Sequence, residues 1–177
     1  MSERDFYLKA RFATVEQATA SMPRLSELLR QGEAAYLYWQ DSRPGAHGRQ
    51  EDWQLPEAET FWAGFRQHFP LVHRYLRELA DTPDWNNGLA GQLSCLVSLY
   101  SLQAKPFASL IQEGSLLLLK LSGIWHLAEM GRLERYCRED LGAVAVGSMS
   151  EDDLDWDEDE EELGPPDDEF VFYLIDL

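Results

Sequence analysis

The sequence predicts an α+β fold, a mixed or antiparallel sheet with helices packed on it. Three observations carry that expectation. Segments with a two-residue apolar period alternate along the chain with segments of helical period. One short stretch, "SLLLLKL", is apolar on both faces and needs a central place in a sheet. The chain of 177 residues is 45% hydrophobic, enough for one domain burying about 70% of its unfolded surface.

Taken in order, "DFYLKARF" sets Phe6, Leu8, Ala10 and Phe12 against Tyr7, Lys9 and Arg11, the pattern of a half-buried strand. Thr14 opens a helix, with Gln17 placed for a capping box. Val15, Ala18, Met22, Leu25 and Leu29 form its stripe. Pro23 predicts a kink or two short helices, and Gly32 an end. The aromatic-rich "AAYLYWQD" (34–41) reads as a strand. Residues 42–55 read as a loop by their Gly, Pro and charge content. Pro56 then opens a helix in which Ala58, Phe61, Trp62, Phe65, Phe69, Val72, Leu76 and Leu79 recur at steps of three and four. Pro70 predicts a bend with both halves on one core. Residues 81–88 are dense in turn residues.

The stretch 89–112 fits a buried strand and a buried helix nearly equally, and we read it as strand. "FASLIQ" and "SLLLLKL" then form a hairpin around Glu113-Gly114. Residues 124–139 are an amphipathic helix, 142–148 a small-residue strand, and "EFVFYLIDL" (169–177) an apolar C-terminal strand. The expected order is β-α-β-α-β-β-α-β-loop-β in a single domain over 1–177, which admits a ferredoxin-like arrangement.

Charge is distributed very unevenly. The net charge is −17, yet residues 1–138 hold all 15 bases against 16 acids. Residues 139–177 hold the other 16 acids and no base. Within them, "EDDLDWDEDEEEL" (151–163) has ten carboxylates around Trp156. This run is expected to form a long acidic loop, 150–168, inserted between the last two strands. Loops of this length are usually either functional or disordered; the plainer reading is a solvated loop that aids solubility, and the sharper one, favoured by Trp156 among the acids, is a binding element. The absence of a basic stripe excludes the usual nucleic-acid footprint, and the acidity disfavours anionic membranes. A basic protein is the partner such a charge favours.

Chemical motifs are scarce. An EF-hand loop opened at Asp153 needs Gly at 158 and Glu at 164, where the chain has Glu158 and Gly164. His68 and His73 are five apart, and His47 and His126 lie elsewhere, so no zinc spacing arises. Cys95 and Cys137 sit in apolar stretches and read as buried, inert thiols. No nucleophile elbow or phosphate-cradling loop is present. We therefore expect no catalytic residue, metal or cofactor. The N-terminus lacks a secretory apolar block, and two cysteines make no disulfide framework. The expectation is a cytoplasmic protein.

In charge and size the chain resembles the small acidic immunity proteins that bacteria make against their own basic nuclease toxins. That resemblance implies a non-enzymatic inhibitor. Asp153, Asp155, Asp157, Glu158, Asp159, Glu160, Glu161 and Glu162 would enter the partner's cationic cleft, with Trp156 as the anchor. Two other classes fit the same sequence. One is an enzyme or ligand-binding domain with an aromatic cleft near Trp39, Trp53, Trp62 and Trp125 and the acidic loop as its lid. The other is a structural subunit of a larger assembly.

Overall fold

The computed structural model describes residues 5–42, 55–76, 109–122, 127–153 and 167–177. In chain order these form β1 (Asp5–Arg11), α1 (Val15–Ser42), α2 (Leu55–His68), α3 (Pro70–Tyr75), β2 (Ser109–Glu113), β3 (Leu116–Ser122), α4 (Leu127–Glu139), β4 (Ala145–Ser150) and α5 (Asp168–Leu174). The chain divides into two compact units, Met1–Ser26 with Lys105–Leu177, and Glu27–Ala104. Helix α1 carries the boundary between them.

The first unit is built on one antiparallel sheet of strand order β2-β3-β1-β4. β3 and β1 are central, as the apolar character of "SLLLLKL" requires: Leu117, Leu118, Leu119 and Leu121 are all buried. The β2–β3 hairpin turns through Gly114 and Ser115, and Gly114 takes a φ of 59° that side chains disfavour. The chain leaves β1 and returns in β2 with β3 lying between the two. It then leaves β3 and returns in β4 with β1 between.

Register sorts the side chains between two faces. Phe6, Leu8 and Ala10 share a face with Leu117, Leu119 and Leu121, and Leu8 pairs with Ser148 on β4. Helix α4 covers this face. It packs on β4 and β1, buries Met130, Leu133, Tyr136 and Cys137, and joins Glu134 to the Ser148 hydroxyl. The N-terminal half of α1 is tied to the α4–β4 connection. Ser21 Oγ donates to the Leu141 carbonyl at 3.4 Å, and Arg24 Nη2 to that of Asp140 at 2.9 Å. Thr14 caps α1 as its spacing predicts, its Oγ1 accepting from the Gln17 amide at 3.2 Å.

Tyr7, Leu118 and Met149 lie on the opposite face, where α5 packs. Val171, Phe172 and Ile175 form one cluster with Tyr7 and Leu118, flanked by Leu116 and Met149. The Tyr7 and Phe172 rings meet edge to face at 5.5 Å. This corrects the expected C-terminal strand. A strand would bury alternate residues, whereas here Val171, Phe172 and Ile175 are buried with Tyr173 and Leu174 exposed, which is helical spacing. The acidic run therefore stands between a strand and a helix.

Two further expectations need correction. Residues 34–41 are not a strand but the end of α1, which runs unbroken through Pro23 and Gly32. Its buried positions, Ser21, Leu25, Leu28, Ala35 and Trp39, recur at helical steps that outweigh the β-favouring aromatics. Strand β4 is displaced from the expected 142–148 to Ala145–Ser150, because Gly142 takes a φ of 81° in the turn after α4. Residues 77–108, which hold most of the ambiguous apolar stretch, lie outside the described residues, although the expected hairpin does form at their end.

The second unit pairs the rest of α1 with α2 and α3. The predicted stripe is buried at Phe61, Phe65, Val72 and Leu76. The expected bend falls at Phe69, between α2 and α3, with Pro70 in the first turn of α3. Gln31 Oε1 on α1 accepts the Leu71 amide at 3.3 Å, satisfying one of the free N–H groups there.

Burial and exposure on α5 set a testable contrast. Phe172 is 6% exposed and Tyr173 74%. Phe172→Ala should destabilise the protein by about 3–5 kcal/mol. Tyr173→Ala should stay within about 0.5 kcal/mol of wild type. Urea unfolding midpoints check both, and equal losses would contradict the packing described.

Candidate functional site

The expected partner-binding run begins at the end of β4, and its first described residues form a single 3-10 turn, Glu151–Asp153. Asp153 folds back on the strand: its Oδ2 accepts from the Ser150 amide at 2.8 Å and the Ser150 hydroxyl at 3.0 Å. Glu151 Oε2 accepts from the Asp5 amide at 3.4 Å. Asp155, Trp156, Asp157, Glu158, Asp159, Glu160, Glu161 and Glu162 lie outside the described residues. The chain is described again from Asp167.

Both flanks of the run reach the same end of the sheet. Ser150 pairs with Phe6, and Asp5 pairs with Ser122. Asp168, at the start of α5, meets Lys120 on β3, with Nζ donating to its two carboxylate oxygens at 3.0 and 3.1 Å. The same Lys120 lies 3.3 Å from Asp5 Oδ2 and 5.9 Å from the Tyr7 ring centre. At this sheet end Asp5 and Asp168 pair with a single lysine, which the sequence places 31 residues before the acidic run, and Glu151 bonds the Asp5 amide beside them. No local spacing could have revealed this cluster, because it depends on the register of three strands.

The electrostatics follow from the placement. Burial opposes the charge of Lys120, but the Asp168 and Asp5 carboxylates outweigh it and hold its pKa above the ordinary value. Burial pushes the Tyr7 hydroxyl up to about 12, opposed by Lys120 and reinforced by the Asp168 and Asp5 charges. The Tyr7 hydroxyl donates to Asp168 Oδ1 at 3.3 Å. Lys9 Nζ reaches the Phe172 carbonyl at 3.4 Å near the other end of α5. Asp168 is half exposed, so the ion pair contributes about 1 kcal/mol or less. The buried Val171, Phe172 and Ile175 each contribute about 1.5–3 kcal/mol. Apolar packing therefore holds α5 down, and the lysine fixes where its first turn sits.

A second aromatic side of α5 escaped the sequence reading. Phe170, Tyr173 and Leu174 are 54%, 74% and 43% exposed. Reading the segment as a strand hid the division into a buried and an exposed stripe. Gly147 lets the chain end come close: a Cβ there would lie 2.7 Å from Ile175 Cγ2 and 3.1 Å from Leu177 Cδ2.

Elsewhere the chemistry is sparse. Burial pushes the Cys137 thiol up to about 12, with Glu134 adding to the shift and Arg138 opposing it, so it remains protonated and inert near neutral pH. Cys95, Trp53 and Trp125 lie outside the described residues. Trp39 packs against Tyr36, and Trp62 against Phe61 and Phe65. Tyr38 sits among Phe61, Phe65, His68 and Phe69. Among the described residues, no group of three His, Cys, Asp or Glu could hold a metal ion, and no helix is long and apolar enough to cross a membrane. No family model matches the sequence, and neither a curated protein nor a solved structure is significantly similar to it.

The Tyr7 environment yields a pH prediction. A hydroxyl whose folded pKa is about 12 against an ordinary 10.0 leaves stability unaffected below pH 10. Between these two values the unfolded chain releases the proton first, so stability falls as pH rises through that window. The drop in melting temperature from pH 10 to 12 should be smaller in Tyr7→Phe than in wild type. Phenolate absorbance of the folded protein should lose one tyrosine that titrates above pH 10 in that variant. Identical titrations would contradict the burial of this hydroxyl.

Proposed function

We propose that this chain is a non-enzymatic acidic binding protein that blocks a basic protein partner by occluding its cationic site, as an immunity protein blocks a nuclease-like toxin. The observation that carries the reading is the division of charge: 16 acids and no base from residue 139 onward, behind a body of nearly balanced charge. Support also comes from the flanks of the run, one bonded to the Asp5 amide through Glu151 and the other to Lys120 through Asp168. A segment held there at both ends keeps its carboxylates concentrated over one region. Such concentration raises the local density of a cationic partner and speeds encounter.

On this reading, residues 150–168 are an exposed acidic loop. Asp153 holds its entry by bonding Ser150. Asp155, Asp157, Glu158, Asp159, Glu160, Glu161 and Glu162 take the places of phosphate groups in the partner's cleft, and Trp156 is the anchor. The protein acts in the bacterial cytoplasm, where its thiols stay reduced. We read the sheet as ferredoxin-like, on the strand order β2-β3-β1-β4 and the β-α-β-β-α-β succession around it. We take residues 1–177 as one α+β domain, since helix α1 contributes to both compact units.

The test is affinity capture from the native cell at low salt, followed by a salt wash. A basic protein should be retained and then released by salt. Replacing the seven acids from Asp155 to Glu162 with Asn and Gln should slow its association by about tenfold or more and flatten the salt dependence. An unchanged association rate would refute this reading.

A further inference from the structure

Helix α5 has two apolar stripes where a surface helix needs one. Val171, Phe172 and Ile175 face the sheet and are buried. Phe170, Tyr173 and Leu174 follow at steps of three and four and are exposed. A helix that is hydrophobic all round is normally buried all round. Acids border the exposed stripe, with Asp167 and Glu169 beside its start and Asp176 beside its end. Within residues 139–177 no base offsets them.

We propose that the outer face of α5 is a docking surface for a basic protein that presents an apolar pocket ringed by lysine and arginine. This rests on the reading of the chain as an acidic binding protein, and adds where the lasting contact forms. Aromatic side chains in an apolar centre with a charged rim are the usual make-up of a binding hot spot. The charge selects among possible occupants. A second copy of this chain would bring the same acids against their like. An anionic membrane would be repelled in the same way. A cationic rim gains from Asp167, Glu169 and Asp176 while its pocket covers Phe170 and Tyr173. The surface also stands clear of the interactions that hold the fold, since α5 is fixed by its inner stripe, by Lys120 and by Lys9.

The test uses the full chain and a fluorescein-labelled amphipathic helical peptide of leucine and lysine. Two control peptides have Gln for every Lys, or Ser for every Leu. The expected result is that the leucine–lysine peptide binds and both controls bind at least about tenfold more weakly. Phe170→Ser with Tyr173→Ser should weaken binding by about tenfold or more, mainly through faster dissociation, at an unchanged melting temperature. If that variant binds as wild type does while the variant lacking the seven loop acids loses binding, the docking surface is elsewhere and the acidic-binder reading survives. If neither variant alters binding, both readings fail. Equal binding of the Gln peptide would overturn the basic partner. Light scattering that finds a dimer dissociated by Tyr173→Ser would assign the face to a second copy. Protection of Tyr173 from tetranitromethane in the free monomer would assign it to another segment of this chain.

Discussion

A strand with leucines on both sides must be covered on both sides, and the sheet of this protein is arranged around that need. Leu117, Leu119 and Leu121 of β3 point to the face covered by α4, while Leu116 and Leu118 point to the other. A four-stranded sheet with helices on one face alone would leave Leu118 and Tyr7 in water. Helix α5 supplies the missing cover, and its inner residues repeat the composition of what they meet, aliphatic against Leu118 and aromatic against Tyr7. The chain must therefore return to the sheet after β4, and the acidic run is the connection that brings it back. The described ends of that connection are held to the sheet, Asp153 by Ser150 and Asp168 by Lys120.

How much of this the sequence disclosed depended on whether one period dominated locally. β1 and α4 were legible because their patterns of two and of three and four stand out, and the β2–β3 hairpin because two short apolar runs flank Glu113-Gly114. Thr14 and Gln17 announced the start of α1 for the same reason. Helix α1 was misread at Pro23 and Gly32, two residues that commonly break helices, although Leu25, Leu28, Ala35 and Trp39 continue one buried stripe past both. Proline in a helix interior costs about 3 kcal/mol, and burial of several large side chains along the same helix outweighs it. At the C-terminus, "EFVFYLIDL" has the composition of a strand, and composition was the wrong guide. Six consecutive apolar residues fit either period, and only the shape of the sheet beneath decides which of them are buried.

The candidate site was legible as charge and not as place. The ten carboxylates of 151–163 are evident in the sequence, but the cluster of Asp5, Asp168 and Lys120 requires strands separated by more than a hundred residues to come into register. Lys120 has an unusual position for a cation, on the central strand β3 with its side chain 22% exposed. It tolerates partial burial because two carboxylates and the Tyr7 ring surround it. Sequence reading assigned β3 to the interior and so had no reason to single out its one charged residue. The lysine marks the point at which the acidic segment is fastened to the core.

Fastening and charge have different reaches, and that difference orders the proposed binding event. A carboxylate cluster acts over roughly the Debye length, about 8 Å at physiological ionic strength, so it steers a cationic partner before any contact is made. Salt weakens that steering and leaves apolar contact nearly untouched. The exposed stripe on α5 acts only at van der Waals range, but it limits departure once contact is made. The stripe follows the acidic segment in the sequence, with Asp168 fastened to Lys120 at the junction, and on the proposed reading it meets what the acids attract. An acidic segment on a flexible tail could steer equally well, but it would deliver its partner to no particular surface. Because α5 is packed on Tyr7 and Leu118, its outer residues need little further ordering on contact, and less of the binding free energy is lost to immobilising them.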